Sequence, residues 1–186
     1  VRQPRNMWAD GAEDIDPETG YATIRSNAQN RYVPNFSYGK GKIVWNFESV
    51  NMPAGTDGFL YLNGDTWHWN GAANGAGWIQ IRIYPQDSTT KSSFKLHYDW
   101  TAEEFTLEES MNDIKTIELD TKVDPEDATK VNVTFSINGK VYYSGKKHNA
   151  FDLDGHKGVI FYSGFSGPFS PECTIVFKSL DYEVYE

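Results

Sequence analysis

A single cysteine, Cys173, stands among 186 residues, so neither an internal disulfide nor a cysteine metal cluster can form. The role such a thiol most often takes is that of a small apolar core residue. No apolar run approaches the ~18–20 residues that a membrane-crossing helix requires, and no membrane partner is expected. Positive charge is scarce: 17 Lys and Arg face 26 Asp and Glu, a net charge of −9. That balance disfavours nucleic acid, whose non-specific binding is driven by counterion release from phosphates. No charged-then-apolar leader opens the chain at Val1, which is read as a mature or excised part of a larger secreted protein. There is no nucleophile elbow, no phosphate-cradling glycine loop and no histidine pair at metal-ligand spacing. The four histidines are scattered, and His148 and His156 fall in what read as exposed loops.

Helical periodicity is almost missing as well. In its place, short β-branched and aromatic runs recur between Gly, Asn, Asp and Pro punctuation. Strands are expected near 21–26, 42–50, 58–62, 78–84, 94–99, 114–119, 130–137, 140–144, 158–163 and 173–185. In "SINGKVYY", Asn138-Gly139 is the favoured pair for a tight hairpin turn. "TAEEFTLEES" (101–110) fits either a helical turn or a strand edge. No internal repeat or linker divides the chain. Strands at this spacing imply one all-β domain over 1–186, a two-sheet antiparallel β-sandwich of the jelly-roll kind.

The stretch "GWIQIRIYPQ" raises the functional question. Successive strand residues point to opposite faces, so Ile79, Ile81 and Ile83 make a core face. Trp78, Gln80, Arg82 and Tyr84 make the other. A wet sheet face usually carries Thr, Lys, Glu and Ser. The same alternation sets Lys95 and His97 opposite Phe94 and Leu96, and Asn46 and Glu48 opposite Ile43, Trp45 and Phe47. "YATIRSNAQNR", if extended throughout, puts Arg25, Asn27 and Gln29 on one side.

Such faces admit two readings, a solvated surface with cross-strand ion pairs or a wall for a polar polymer. A sugar ring offers hydroxyls to amides, carboxylates and guanidinium groups, and an apolar C–H face to an aromatic ring. Arg82, Lys95 and His97 tilt the second reading toward acidic sugars, because Arg grips a carboxylate with a planar fork. The loop "NGDTWHWNGAANGAGW" (63–78) adds Trp67 and Trp69, as a stacking platform or as a plug over the sandwich end. Asp14, Asp16 and Glu18 alternate ahead of Gly20, a pattern of hard oxygen ligands able to hold a structural calcium. No other cofactor is expected. For acid–base hydrolysis, which needs two converging carboxylates, Glu48 and Asp99 are the candidates. Asn35 and Asn132 lie in glycosylation acceptor patterns.

Taken as a whole, the strand order resembles the concanavalin A-like sandwich superfamily of lectins, carbohydrate-binding modules, glucanases and polysaccharide lyases. The ending "KSLDYEVYE" is similar to the last strand of laminarinase-type members. That resemblance implies Asp181 as a calcium ligand. Their catalytic strand carries alternating carboxylates; the nearest stretch here, "EDIDPE", contains Pro17, which suits a turn, so a glucanase is not expected. The layout of 78–166 is also similar to alginate-lyase-type jelly rolls. Gln80-Ile81 is followed by Arg82 where that family has histidine. In "GVIFYSGFSG", Tyr162 takes the lysine position and Ser166 that of the catalytic tyrosine. Such a lyase needs a base for the C5 proton and donors for the enolate. The resemblance would make Gln80, Arg82 and Arg25 donors and His97 or Tyr84 the base. The leading expectation is a non-catalytic, extracellular or cell-surface carbohydrate-binding module, a monomeric unit gripping polysaccharide along a concave sheet. The alternative is a polysaccharide lyase or other glycan-active enzyme on the same fold. A third is a protein-binding adhesion domain, if Trp67 and Trp69 form an exposed apolar patch.

Overall fold

The structure, a computed structural model, describes residues 8–9, 14–25, 29–32, 39–53, 55–56, 58–65, 78–96, 102–149, 160–166 and 173–185. Its strands are β1 (Trp8–Ala9), β2 (Asp14–Ile15), β3 (Ala22–Arg25), β4 (Gln29–Tyr32), β5 (Lys40–Asn51), β6 (Phe59–Asp65) and β7 (Trp78–Ile83). The second half holds β8 (Ser92–Leu96), β9 (Glu103–Phe105), β10 (Thr116–Asp124), β11 (Asp127–Ile137), β12 (Lys140–His148), β13 (Ile160–Ser166) and β14 (Thr174–Val184). A single 3₁₀ turn, Met111–Asp113, is the only helical element among the described residues. "TAEEFTLEES" therefore contributes a strand rather than a helix.

The strands form two seven-stranded sheets. The front sheet runs β1-β4-β13-β6-β7-β8-β9, and the back sheet β12-β11-β10-β5-β14-β3-β2. Neighbours pair antiparallel throughout, as in the β6–β7 and β5–β14 ladders. The expected jelly-roll β-sandwich is the observed one.

Alternation decides which side chains fill the space between the sheets. Ile79, Ile81 and Ile83 on β7 are buried, and so are Ile43, Trp45 and Phe47 on β5 and Val131, Val133 and Phe135 on β11. The sheets meet through aromatic rings. Phe94 of the front sheet stacks on Phe135 of the back sheet, with centroids 5.3 Å apart and planes 8° apart. Phe105 adds a tilted contact to the same ring at 5.6 Å. Cys173 is fully buried, its thiol 3.8 Å from the Thr56 hydroxyl, the core role its isolation suggested.

Two local devices set the register of the back sheet. Asn138 (φ 50°) and Gly139 (φ 80°) both take positive φ, as the short β11–β12 turn requires. Where β5 begins, the buried Thr121 hydroxyl accepts from the Gly39 N–H at 2.9 Å and donates to the Gly41 carbonyl at 3.0 Å.

Candidate functional site

The outward face of β7 is the floor of the candidate site. Gln80, Arg82 and Tyr84 are half-buried, between the fully buried isoleucines. β6 runs beside it with the same logic. Leu60 and Leu62 are buried, which turns Phe59 and Tyr61 outward, and both are half-buried.

Backbone register continues these positions into two rows, one over five strands and one over six. One row reads Arg31 (β4), Tyr162 (β13), Asn63 (β6), Gln80 (β7) and Lys95 (β8). Its neighbour reads Gln29, Gly164, Tyr61, Arg82 and Ser93, and ends at Glu104 on β9. Trp78 stands one step further along β7, opposite Asp65. With strands spaced ~4.8 Å apart, the first row spans roughly 19 Å.

Arg82 is the centre of this surface. Its guanidinium carbon lies 4.9 Å from the centre of the Phe59 ring. That ring in turn packs against Tyr84 at 4.9 Å and meets Tyr61 edge-on at 6.4 Å. An aromatic platform thus positions a cation by ring-quadrupole attraction. The Arg82 Nε is buried and has no hydrogen-bond partner among the described residues, a state that costs free energy until a partner is supplied. Burial holds the Tyr61 phenol above its ordinary pKa of 10.0. It therefore stays protonated at neutral pH and can donate a hydrogen bond there.

Of the residues selected from sequence, Gln80, Arg82, Tyr84 and Lys95 share this face, and Trp78 is placed by backbone register alone, opposite Asp65. Arg25, Asn46 and Glu48 do not join them. The alternation that sets Asn46 and Glu48 away from the core holds, but β5 and β3 belong to the back sheet, so their outward faces lie on the opposite side of the sandwich. Between Arg25 and Gln29 the chain passes from back sheet to front sheet, so "TIRSNAQNR" is not one extended face. Asn46 is occupied structurally, its Nδ2 donating to Ser179 Oγ at 3.0 Å and Asp181 Oδ2 at 2.9 Å. Glu48 is exposed, and its backbone carbonyl accepts from Lys115 Nζ at 3.0 Å. Trp67, Trp69, His97 and Asp99 lie outside the described residues.

Among the three proposed metal ligands, Asp181 stands apart from Asp14. Asp14 pairs with Thr23, which pairs with Val176, while Asp181 sits five residues further along β14, roughly 16 Å away at ~3.3 Å per residue. Asp16 staples its own turn, its Oδ1 accepting the N–H groups of Glu18 at 2.8 Å and Thr19 at 3.3 Å. Those backbone bonds hold its carboxyl below the ordinary 3.8. No group of three His, Cys, Asp or Glu gathers among the described residues.

Sequence reasoning missed Arg31, Phe59, Tyr61 and Asn63. The alternation of "FLYLNGD" carried the signal for three of them, but the neighbour of β7 could not be named without the sheet order.

No protein-family model and no curated sequence matches this chain. Its fold, in contrast, is shared widely among solved structures. It is similar over 99% of its length to a prokaryotic β-1,3-1,4-glucanase (lichenase) from a mouse hindgut metagenome, 98% of which is covered, at TM-score 0.61 and 11% identity. An alginate lyase mutant in complex with alginate trisaccharide is matched over 100% of this chain and 98% of its own, at TM-score 0.59 and 12% identity. The winged bean acidic lectin complexed with methyl-α-D-galactose is matched over 95% and 92%, at TM-score 0.58 and 10% identity. The fold is the concanavalin A-like jelly roll.

Proposed function

We propose that this chain is a non-catalytic carbohydrate-binding module that holds a polysaccharide across the outward face of the front sheet. The observation that carries the reading is the grouping of the Gln80 amide, the Tyr61 and Tyr84 phenols and the Lys95 cation around Arg82, set on the Phe59 platform. Amides and guanidinium groups supply the paired hydrogen bonds that sugar hydroxyls and carboxylates take, and the flanking rings supply apolar contact for C–H faces. The row is several hexose rings wide, which suits a polymer better than a monosaccharide. Lectins and glycan-active enzymes are built on the same fold, which supports a carbohydrate ligand while leaving the chemistry to the site. Trp67, Trp69 and His97 are proposed as additional contacts from the segments flanking β6, β7 and β8, and the setting proposed is extracellular.

A polysaccharide lyase on this face is the second reading, favoured by Gln80 and Arg82 standing in adjoining rows beside Tyr84. Gln80 and Arg82 would then stabilise the enolate, with Tyr84 or His97 taking the proton. A calcium ion shared between Asp14 and Asp181 is no part of either proposal, since those two strand positions lie far apart.

The test is affinity electrophoresis through gels holding neutral or uronate-rich polysaccharide, with each polymer sized after incubation. Retardation that falls at least tenfold in Arg82→Ala, with polymer length unchanged, is the expected result. Retardation equal in wild type and Arg82→Ala would remove the site from β7. Shortened polymer with unsaturated uronate ends would replace the module by the lyase.

A further inference from the structure

The opposite side of the sandwich carries a second constellation that the front-sheet proposal does not use. On the outward face of the back sheet, Asp120 pairs with Thr134 and Lys122 with Asn132, making a square of polar residues on β10 and β11. Tyr185, just beyond β14, closes one side. Its N–H donates to the Lys40 carbonyl at 2.7 Å, and its hydroxyl donates to Asp120 Oδ1 at 2.7 Å. The Lys122 ammonium stands 5.9 Å from the ring centre. These five residues line an open depression of about 440 Å³, within the size range of small-ligand sites.

The chemistry of the lining selects a ligand class. An amide offers both donor and acceptor, a threonine hydroxyl does the same, and Asp120 keeps a second carboxylate oxygen for two hydroxyl donors. The tyrosine ring gives the depression an apolar border. Both signs of fixed charge surround the depression: Glu118, Asp120 and Glu183 stand among Lys40, Lys42 and Lys122 on the same strands and their direct partners, and Lys146, opposite Asn132, is paired with Asp124 as Lys42 is with Glu183. An anionic sugar would meet Asp120 directly, whereas a neutral polyol would leave each ion pair undisturbed. The tyrosine is tied at both its backbone and its hydroxyl, so little ordering remains to oppose binding.

From this geometry we infer that the Asp120–Lys122–Asn132–Thr134–Tyr185 depression is a second binding site, for a neutral sugar unit, on the face opposite the proposed polysaccharide wall. The inference is independent of the front-sheet reading. Combined with the front-sheet site, it would make the domain bivalent, able to touch one glycan on each side. Asn132 also lies in the acceptor pattern Asn132-Val133-Thr134, so a glycan attached there would fill the depression from within the same chain.

The test uses protein made in a bacterium, which leaves Asn132 unmodified, titrated with cellobiose, lactose and mannobiose while backbone amide shifts are followed by NMR. At least one disaccharide is expected to shift the amides of Asp120, Asn132 and Thr134. Those shifts should persist in Arg82→Ala and weaken at least tenfold in affinity in Asn132→Ala and in Thr134→Val. Tyr185→Phe keeps the ring and removes only the bond to Asp120, so it should retain binding with a smaller loss. Melting curves of each variant identify any that fail to fold. The inference is overturned if no disaccharide moves these amides at millimolar concentration, or if the shifts survive in folded Asn132→Ala and Thr134→Val. Loss of the shifts in Arg82→Ala would also overturn it. Binding here alongside failure of polysaccharide retardation would refute only the front-sheet proposal.

Discussion

Asn138 is solvent-exposed, yet its substitution should cost as much as many core changes. Its Oδ1 accepts the N–H groups of Lys115 at 2.7 Å and Thr116 at 3.0 Å, and its Nδ2 donates to the Asp113 carbonyl at 2.9 Å. The side chain thereby ties the β11–β12 turn to the segment entering β10, while the backbone holds φ at 50°. Each hydrogen bond contributes about 0.5–1.5 kcal/mol net, and the low end applies where water can replace the partner. Loss of all of them therefore costs about 2 kcal/mol. An alanine forced to positive φ adds about 1 kcal/mol more. Asn138→Gly, which keeps the conformational freedom, should lose the first amount; Asn138→Ala should lose about 3 kcal/mol by these two contributions. Gly139→Ala isolates the second, because nothing lies within 4 Å of the added methyl. In a chain of this size the alanine variant should melt about 6–12 °C lower. Urea titration followed by tryptophan fluorescence measures all of these variants. An Asn138→Gly variant within about 0.5 kcal/mol of wild type would refute the claim that these bonds hold the turn.

Phe94→Ala removes the ring stacked on Phe135 and should cost about 3–5 kcal/mol, the usual range for emptying a large aromatic site; a calorimetric loss of about 1 kcal/mol would mean the sheets close over the gap. Thr121→Val is nearly isosteric but leaves the buried Gly39 N–H without its acceptor, and should destabilise by about 1–3 kcal/mol in chemical denaturation. The Asp124 carboxyl is held below its ordinary 3.8 by the Lys146 ammonium and the Glu126 N–H. Its contribution is present above pH 3.8 and lost as pH falls through the lower folded-state value. Lys146→Met should therefore flatten part of the acid limb of stability against pH, and an unchanged limb would discount the pair.

The sandwich was legible because β-branched and aromatic residues alternate with polar ones at period two, and Asn138-Gly139 marked its turn outright. Strands β1, β2 and β4 escaped because they are too short for alternation to show. β9 was ambiguous because "EEF" suits a helix as well as an edge. Faces were read correctly on β5, from Ile79 to Tyr84 and at Phe94 and Lys95, where the side chains are described. Assigning strands to sheets was not possible, since periodicity says which side of a strand is buried but nothing of which sheet the strand joins. Asn46 and Glu48 illustrate this: they point away from the core as expected and still lie on the far side from Arg82. Arg25 and Gln29 fail for a related reason, a crossing between sheets hidden in a stretch that reads as continuous.

The placement of β14 has a consequence for how the protein is made. It lies between β5 and β3, pairing Thr174 with both Asn51 and Arg25. During synthesis, then, the middle of the back sheet stays split until the strand at residues 174–184 has left the ribosome. Until that moment Ile24, Ile43 and Trp45 belong to unpaired strand edges, a state prone to association with other chains. The nascent domain therefore gains its cooperativity late and all at once. Chaperone dependence should be steepest in the interval before residues 174–184 emerge.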